Sequence, residues 1–153
     1  MNADLVFRGA LVVDGSGRGP HVGDVAVDRV LGAIDATRTV DADGLALMPG
    51  IVDSHTHFDA QITWDPTLAP SPALGVTTAV IGNCGFTIAP CRPADRERTM
   101  RNLTQVEGMS LAALRAGIDW RFETFPEYLA QLRSRGAAVN VAAYVATRRC
   151  EPG

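Results

Sequence analysis

Lysine is missing from this chain. All 14 basic residues are arginine, spread from Arg8 to Arg149 instead of gathered along one stripe, and the net charge is −3. That distribution excludes the dense basic face by which a protein holds nucleic acid or another polyanion. The adjacent Arg148 and Arg149 make too short a run to change this. Cysteine is scarce: Cys84, Cys91 and Cys150 are an odd number, widely spaced, with no CxxC pair. A disulfide framework is not expected, and a reducing, cytoplasmic setting is, with a Cys84–Cys91 bridge left open. No apolar run approaches the roughly 20 residues that span a bilayer, so no membrane partner is expected. The opening MNADLVFRGA lacks the basic and then apolar segments of a secretion signal. Internal repeats and low-complexity tracts are absent too.

What is present is a domain-sized chain of 153 residues, 46% hydrophobic, enough for a substantial core. The first 48 residues are rich in strand and turn signals and poor in helix signals. Residues 3–13 alternate as a strand ended by Asp14-Gly15-Ser16-Gly17, and residues 24–30 and 39–42 read as further strands. His21 falls in the loop HVGD and reads as an ordinary surface or core residue. Asp43-Gly44 has hairpin-turn chemistry and leads into residues 45–48.

From Pro49 the pattern changes. Residues 51–57 read as a strand, and 58–75 as an irregular stretch with room for a short helix. Residues 76–81 (VTTAVI) read as a strand buried on both faces. Helices are expected over 94–106, 109–116 and 125–135. The last has a Thr124/Glu127 capping box, Pro126 in its first turn, a Phe125/Leu129/Leu132 stripe and Gly136 beyond its end. Residues 139–146 read as a third apolar strand. Buried strands alternating with helices imply parallel pairing.

The most informative stretch is PGIVDSHTHFDAQ (49–61). On a strand, residues two apart share a face, so Asp53, His55, His57 and Asp59 are expected to project together. Two imidazoles at that spacing suit a divalent metal such as zinc. Cys84 follows the next strand, bracketed by Gly82 and Gly85. The ends of neighbouring parallel strands meet at one face, which sets Cys84 beside the two histidines. A thiolate is a strong zinc ligand, held deprotonated by the metal. Cys91, beyond Pro90, reads as structural.

Several segments together resemble the amidohydrolase superfamily and, within it, the D-aminoacylases (N-acyl-D-amino-acid deacylases). They are DLVFRGALVVDGSG, PGIVDSHTHFDAQ, WDP (64–66), GVTTAVIGNCG (75–85) and ETFPEYL (123–129). The HTH element is shared across many amidohydrolases, whereas GNCG after GVTT is more specific to the deacylase branch. The resemblance implies an α/β fold: the first three βα units of a TIM-like (β/α)8 barrel over 49–153, preceded by part of a small β-sandwich domain over 1–48. It implies that His55, His57 and Cys84 bind Zn2+, and that the reaction is hydrolysis of an N-acyl-D-amino acid, a small-molecule substrate, to a carboxylate and a D-amino acid. Asp53 is expected in a supporting role and Asp59 at the site entrance. Trp64 and Asp65 either line the substrate pocket or anchor their loop, the anchoring role being favoured.

The family's later metal-binding histidines, and the acid–base Asp of its eighth strand, match nothing in these 153 residues. No catalytic residue is therefore assigned, and the chain is expected to be an N-terminal fragment with little activity of its own. Residues 27–38 look short for the family, and the tail ATRRCEPG departs from its pattern. Two rival readings are a cyclic-amide hydrolase of the hydantoinase or dihydroorotase kind, against which Cys84 speaks, and a non-catalytic remnant. Oligomeric state stays open.

Overall fold

The computed structural model describes residues 2–27 and 35–145, and the chain divides into two units, Met1–Pro49 and Gly50–Gly153. In the first, the long alternating segment forms β1 (Asn2–Val12). It is flanked by β2 (His21–Val27), antiparallel, and by β3 (Asp35–Asp41), parallel, in the order β2-β1-β3. A two-residue β4 (Ala46–Leu47) continues beside the end of β1, also parallel. The ladder between β1 and β2 shifts register between Phe7 and Ala10, where Gly9 takes φ 69°. Asp24 clamps that bulge, accepting from the Gly9 N–H and from Arg8, both at 2.9 Å. Ala3, Val6, Ala10 and Ala42 are its buried apolar residues among those described.

Three expectations for this unit change. His21 opens β2 and is not in a loop, and β3 starts at Asp35, earlier than residue 39. The Asp43-Gly44 turn is formed, but β3 and β4 both pair in parallel with β1, so the turn steps the chain along one strand and closes no hairpin. Residues 28–30 of the expected second strand, and most of the short 27–38 stretch, lie outside the described residues.

The second unit carries a parallel sheet, β5 (Ile51–Asp53), β6 (Val76–Ile81) and β7 (Asn140–Ala143), in chain order. Between β6 and β7 run α1 (Arg96–Glu107), α2 (Leu111–Gly117) and α3 (Phe125–Arg135). Two single 3-10 turns, Gln61–Thr63 and Ser71–Leu74, take the place of the short helix expected between β5 and β6. The core gathers Ile62, Leu68, Ala79, Ile81, Ile88, Leu114, Phe122 and Tyr128 at 2% exposure or less. The Phe122 and Tyr128 rings meet edge-on at 5.0 Å.

β6 is fully buried only at Ala79 and Ile81 on one face, while Val76, Thr78 and Val80 on the other are half-buried, short of the two-sided burial its composition suggests. β5 stops at Asp53 and does not reach His57. The Asp53 carboxylate accepts the His55 N–H at 3.3 Å, a local bond that competes with the strand ladder. Trp64 packs against the core and Asp65 binds the Thr67 N–H, the Thr67 hydroxyl and the Gln61 amide. Both are loop anchors. The tail ATRRCEPG (146–153), with the last residue of the expected third strand, lies outside the described residues. Among those described, no helix is long and apolar enough to cross a membrane.

α3 forms over the expected residues with its capping box complete: Thr124 Oγ1 accepts the Glu127 N–H, and Glu127 Oε2 accepts the Thr124 N–H. Its innermost residues are Tyr128 and Gln131, while Phe125, Leu129 and Leu132 are half-buried. The Thr124 and Glu123 N–H groups hold the Glu127 carboxyl below its ordinary value. The box therefore contributes fully at neutral pH and weakens as acidification passes through that lowered value. Thr124→Ala is expected to cost about 1 kcal/mol in urea unfolding followed by circular dichroism, with Thr124→Ser close to wild type. The difference between wild type and Glu127→Gln should shrink on acidification.

Candidate metal centre

His55 and His57 lie in the segment that leaves the end of β5, and Cys84 in the turn that leaves the end of β6. The parallel pairing, Val52 with Thr78 and Asp53 with Ala79, brings both exits to the same end of the sheet. The three side chains meet there. Their donor atoms all lie within 4.8 Å of one another. Cys84 Sγ is 3.3 Å from His55 Nε2, and the two imidazole rings stand 5.4 Å apart at 65°. His57 also meets the Phe86 ring edge-on at 6.5 Å. Cys84 and His55 are exposed and His57 is half-buried, so the donors face a space that solvent and a ligand can enter. The two cysteines described are both thiols, which removes the Cys84–Cys91 bridge; Cys91 is buried near Thr99.

The convergence does not depend on a shared strand face, since β5 has ended before His55. It depends on a set of hydrogen bonds that tie the two exits together. Thr56, between the histidines, gives both its N–H (3.1 Å) and its hydroxyl (2.9 Å) to the Val80 carbonyl. Asn83, beside Cys84, donates its amide to the carbonyls of Val80 (2.8 Å) and Thr56 (3.2 Å). Asp59 Oδ2 accepts the Gly82 N–H at 2.9 Å, and the Tyr128 hydroxyl donates to the Asp59 carbonyl at 3.0 Å.

Asp59 therefore does not face an entrance: it is 1% exposed. Burial pushes its carboxyl above the ordinary value, opposed by the Gly82 N–H, the Thr87 hydroxyl and His57. Burial, and then the charge of Asp59, likewise push the Tyr128 hydroxyl up. Asp53 is occupied by the His55 N–H. Sequence reasoning passed over Thr56, Asn83 and Tyr128 as tethers. Only the tight spacing of polar residues in DSHTHFD and GNCG hinted at the first two, and nothing hinted at Tyr128.

The Cys84 turn is tightly constrained. Gly82 (φ 84°), Cys84 (φ 57°) and Gly85 (φ 74°) are all left-handed. A Cβ at Gly82 would stand 2.6 Å from the Tyr144 carbonyl oxygen, so only glycine fits there. For cysteine that backbone costs about 1–2 kcal/mol, and unfavourable conformations of this kind gather at functional sites. Two imidazoles and a thiol are the donor types zinc prefers, at bond lengths of about 2.0–2.3 Å.

Comparison with known proteins gives the family and the fold. The profile of the amidohydrolase family matches residues 38–149. An N-acyl-D-aspartate deacylase of Alcaligenes xylosoxydans xylosoxydans is 37% identical over 146 residues, covering 91% of this chain and 27% of that protein. A D-aminoacylase solved for the role of its binuclear metal centre superposes with a TM-score of 0.73 at 33% identity, over 94% of this chain and 30% of that one. The N-acyl-D-glutamate deacylase of Bordetella bronchiseptica, solved with zinc and a phosphonate inhibitor, gives 0.74 at 30% identity, over 95% and 30%. The chain thus has the mixed α/β fold of these structures and spans somewhat under a third of the length of the relatives it matches.

The left-handed turn gives a prediction that needs no metal. Cys84→Gly should be about 1 kcal/mol more stable than Cys84→Ala in urea unfolding of the metal-free chain, because only glycine is at ease at that φ. Equal stability of the two variants would contradict the strain.

Proposed function

The chain belongs to the amidohydrolase family, and from that premise we propose that it carries the first metal ligands of a zinc-dependent N-acyl-D-amino-acid deacylase. The observation that carries this reading is the meeting of His55, His57 and Cys84 where two adjacent parallel strands end. The names of the matched relatives, deacylases of N-acyl-D-aspartate and N-acyl-D-glutamate and a D-aminoacylase, support the choice of substrate class. The three strands and their helices are then the opening of a TIM-like barrel over 49–153, and residues 1–48 part of a small β-sandwich domain.

In this reading His55 and His57 offer neutral imidazole nitrogens and Cys84 a thiolate, which a reducing cytoplasm keeps available. When bound, zinc supplies a Lewis acid that polarises an amide carbonyl and makes water more acidic. The residues of this chain hold and orient the donors. Of the two carboxylates near them, Asp53 accepts the His55 N–H and Asp59 accepts the Gly82 N–H from a buried position. The acid–base group is assigned to no residue here, and the 153 residues alone are proposed to bind metal with little turnover.

The test splices these residues in place of the matching segment of the Alcaligenes D-aminoacylase. The zinc-loaded chimera is assayed on N-acetyl-D-amino acids, their L-enantiomers and a hydantoin. Release confined to the D-substrates, falling at least about a hundredfold in Cys84→Ala, is expected, on the scale of losing a group that stabilises the transition state. A folded, zinc-loaded chimera that opens the hydantoin, or that ignores the Cys84 substitution, would contradict the reading.

A further inference from the structure

Asp59 is the one carboxylate among the described residues that is almost fully buried, at 1% exposure. A buried carboxylate without a task is costly, and this one spans the two exits that carry the donors. It lies two residues beyond His57. Its side-chain oxygen takes the N–H of Gly82, two residues before Cys84, at 2.9 Å. Its own main-chain carbonyl is fixed from the other side by the Tyr128 hydroxyl at 3.0 Å, and Tyr128 is fully buried in the core of α3.

Chain geometry makes the position of Gly82 decisive. Gly82 opens the left-handed turn, and its φ of 84° sets the direction from which Cys84 enters. Its backbone is pressed against Tyr144, and its N–H is taken by Asp59 and not by a neighbouring strand. With that acceptor removed, the turn keeps the Asn83 bond to Thr56 but loses the one that fixes its first residue to the segment carrying the histidines. The tethers through Thr56 and Asn83 secure Val80 and Asn83, but not the Gly82 N–H.

We infer that Asp59, anchored by Tyr128, is a positioning residue that sets Cys84 against His55 and His57 by accepting the Gly82 N–H. This rests on the metal reading of those three residues. The role belongs to the acceptor oxygen and not to the negative charge, so Asn, which keeps an acceptor, should substitute and Ala should not. Residues that orient metal ligands commonly govern affinity by 10- to 100-fold.

The experiment titrates Co2+ into the full 153-residue chain and reads affinity together with the thiolate-to-cobalt charge-transfer band, which reports the Cys84 bond. Circular dichroism and urea unfolding run alongside as the measure of folding. Expected is a wild type that binds one Co2+ with the band. Asp59→Ala should fold yet bind about tenfold or more weakly with the band diminished, and Asp59→Asn should stay near wild type. A folded Asp59→Ala with wild-type affinity and band overturns the inference and leaves the metal reading standing. Should Asp59→Ala not fold, Asp59→Asn and Tyr128→Phe decide. An Asn variant near wild type together with a several-fold loss in Tyr128→Phe supports the inference, and an Asn variant as weak as Cys84→Ala overturns it. A wild type that binds no Co2+ sinks the metal reading, and the inference with it.

Discussion

Parallel pairing of β5 with β6 is the constraint from which the rest of the site follows. Because the two strands run the same way and are adjacent, the segments leaving them emerge at one end of the sheet, where His55, His57 and Cys84 can meet. An antiparallel pair would have sent them to opposite ends. The pairing is in turn backed by what packs on the sheet, Ile62 and Leu68 from the crossover between β5 and β6 and the helices that follow β6. α1, α2 and α3 cover the Ala79/Ile81 face of β6 and bury a core built on Ile62, Leu68, Leu114 and Tyr128. Packing thus chooses the topology, and topology chooses which residues become neighbours.

Adjacency alone is too coarse to hold three donor atoms within a few ångströms. The finer work is done by polar contacts that link the two exits: Thr56 to Val80, Asn83 to Thr56, and Asp59 to Gly82. The last two satisfy backbone groups where the strands end, the Thr56 carbonyl and the Gly82 N–H. They also hold Cys84 in a left-handed backbone that cysteine does not choose by itself. Local strain and local tethering therefore occur together, as expected where geometry is kept for chemistry at the expense of stability.

Much of this was legible in the sequence. The capping box and apolar stripe set α3, and the β-branched run of VTTAVI set β6, because these signals are local and strong. That His55, His57 and Cys84 come together could be read from the HTH and GNCG elements and their resemblance to the deacylases. The extent of β5 was not legible: a period-two pattern through DSHTHFD suggested a strand to His57, while the Asp53 carboxylate ends it by taking the His55 N–H. Nor was the burial of Asp59 legible, since it depends on Tyr128, far along the chain, and on a turn whose shape only the folded backbone reveals. Long-range tethers of this kind leave no period in a sequence.

The central claim is that these three side chains form one metal site. Zinc-edge X-ray absorption of the zinc-loaded chain tests it most directly. Expected are one sulfur scatterer at about 2.3 Å and two imidazole nitrogens at about 2.0–2.1 Å, the remaining positions being light atoms. A first shell of oxygen and nitrogen without sulfur would mean that Cys84 is not a ligand and that the three side chains do not form one site.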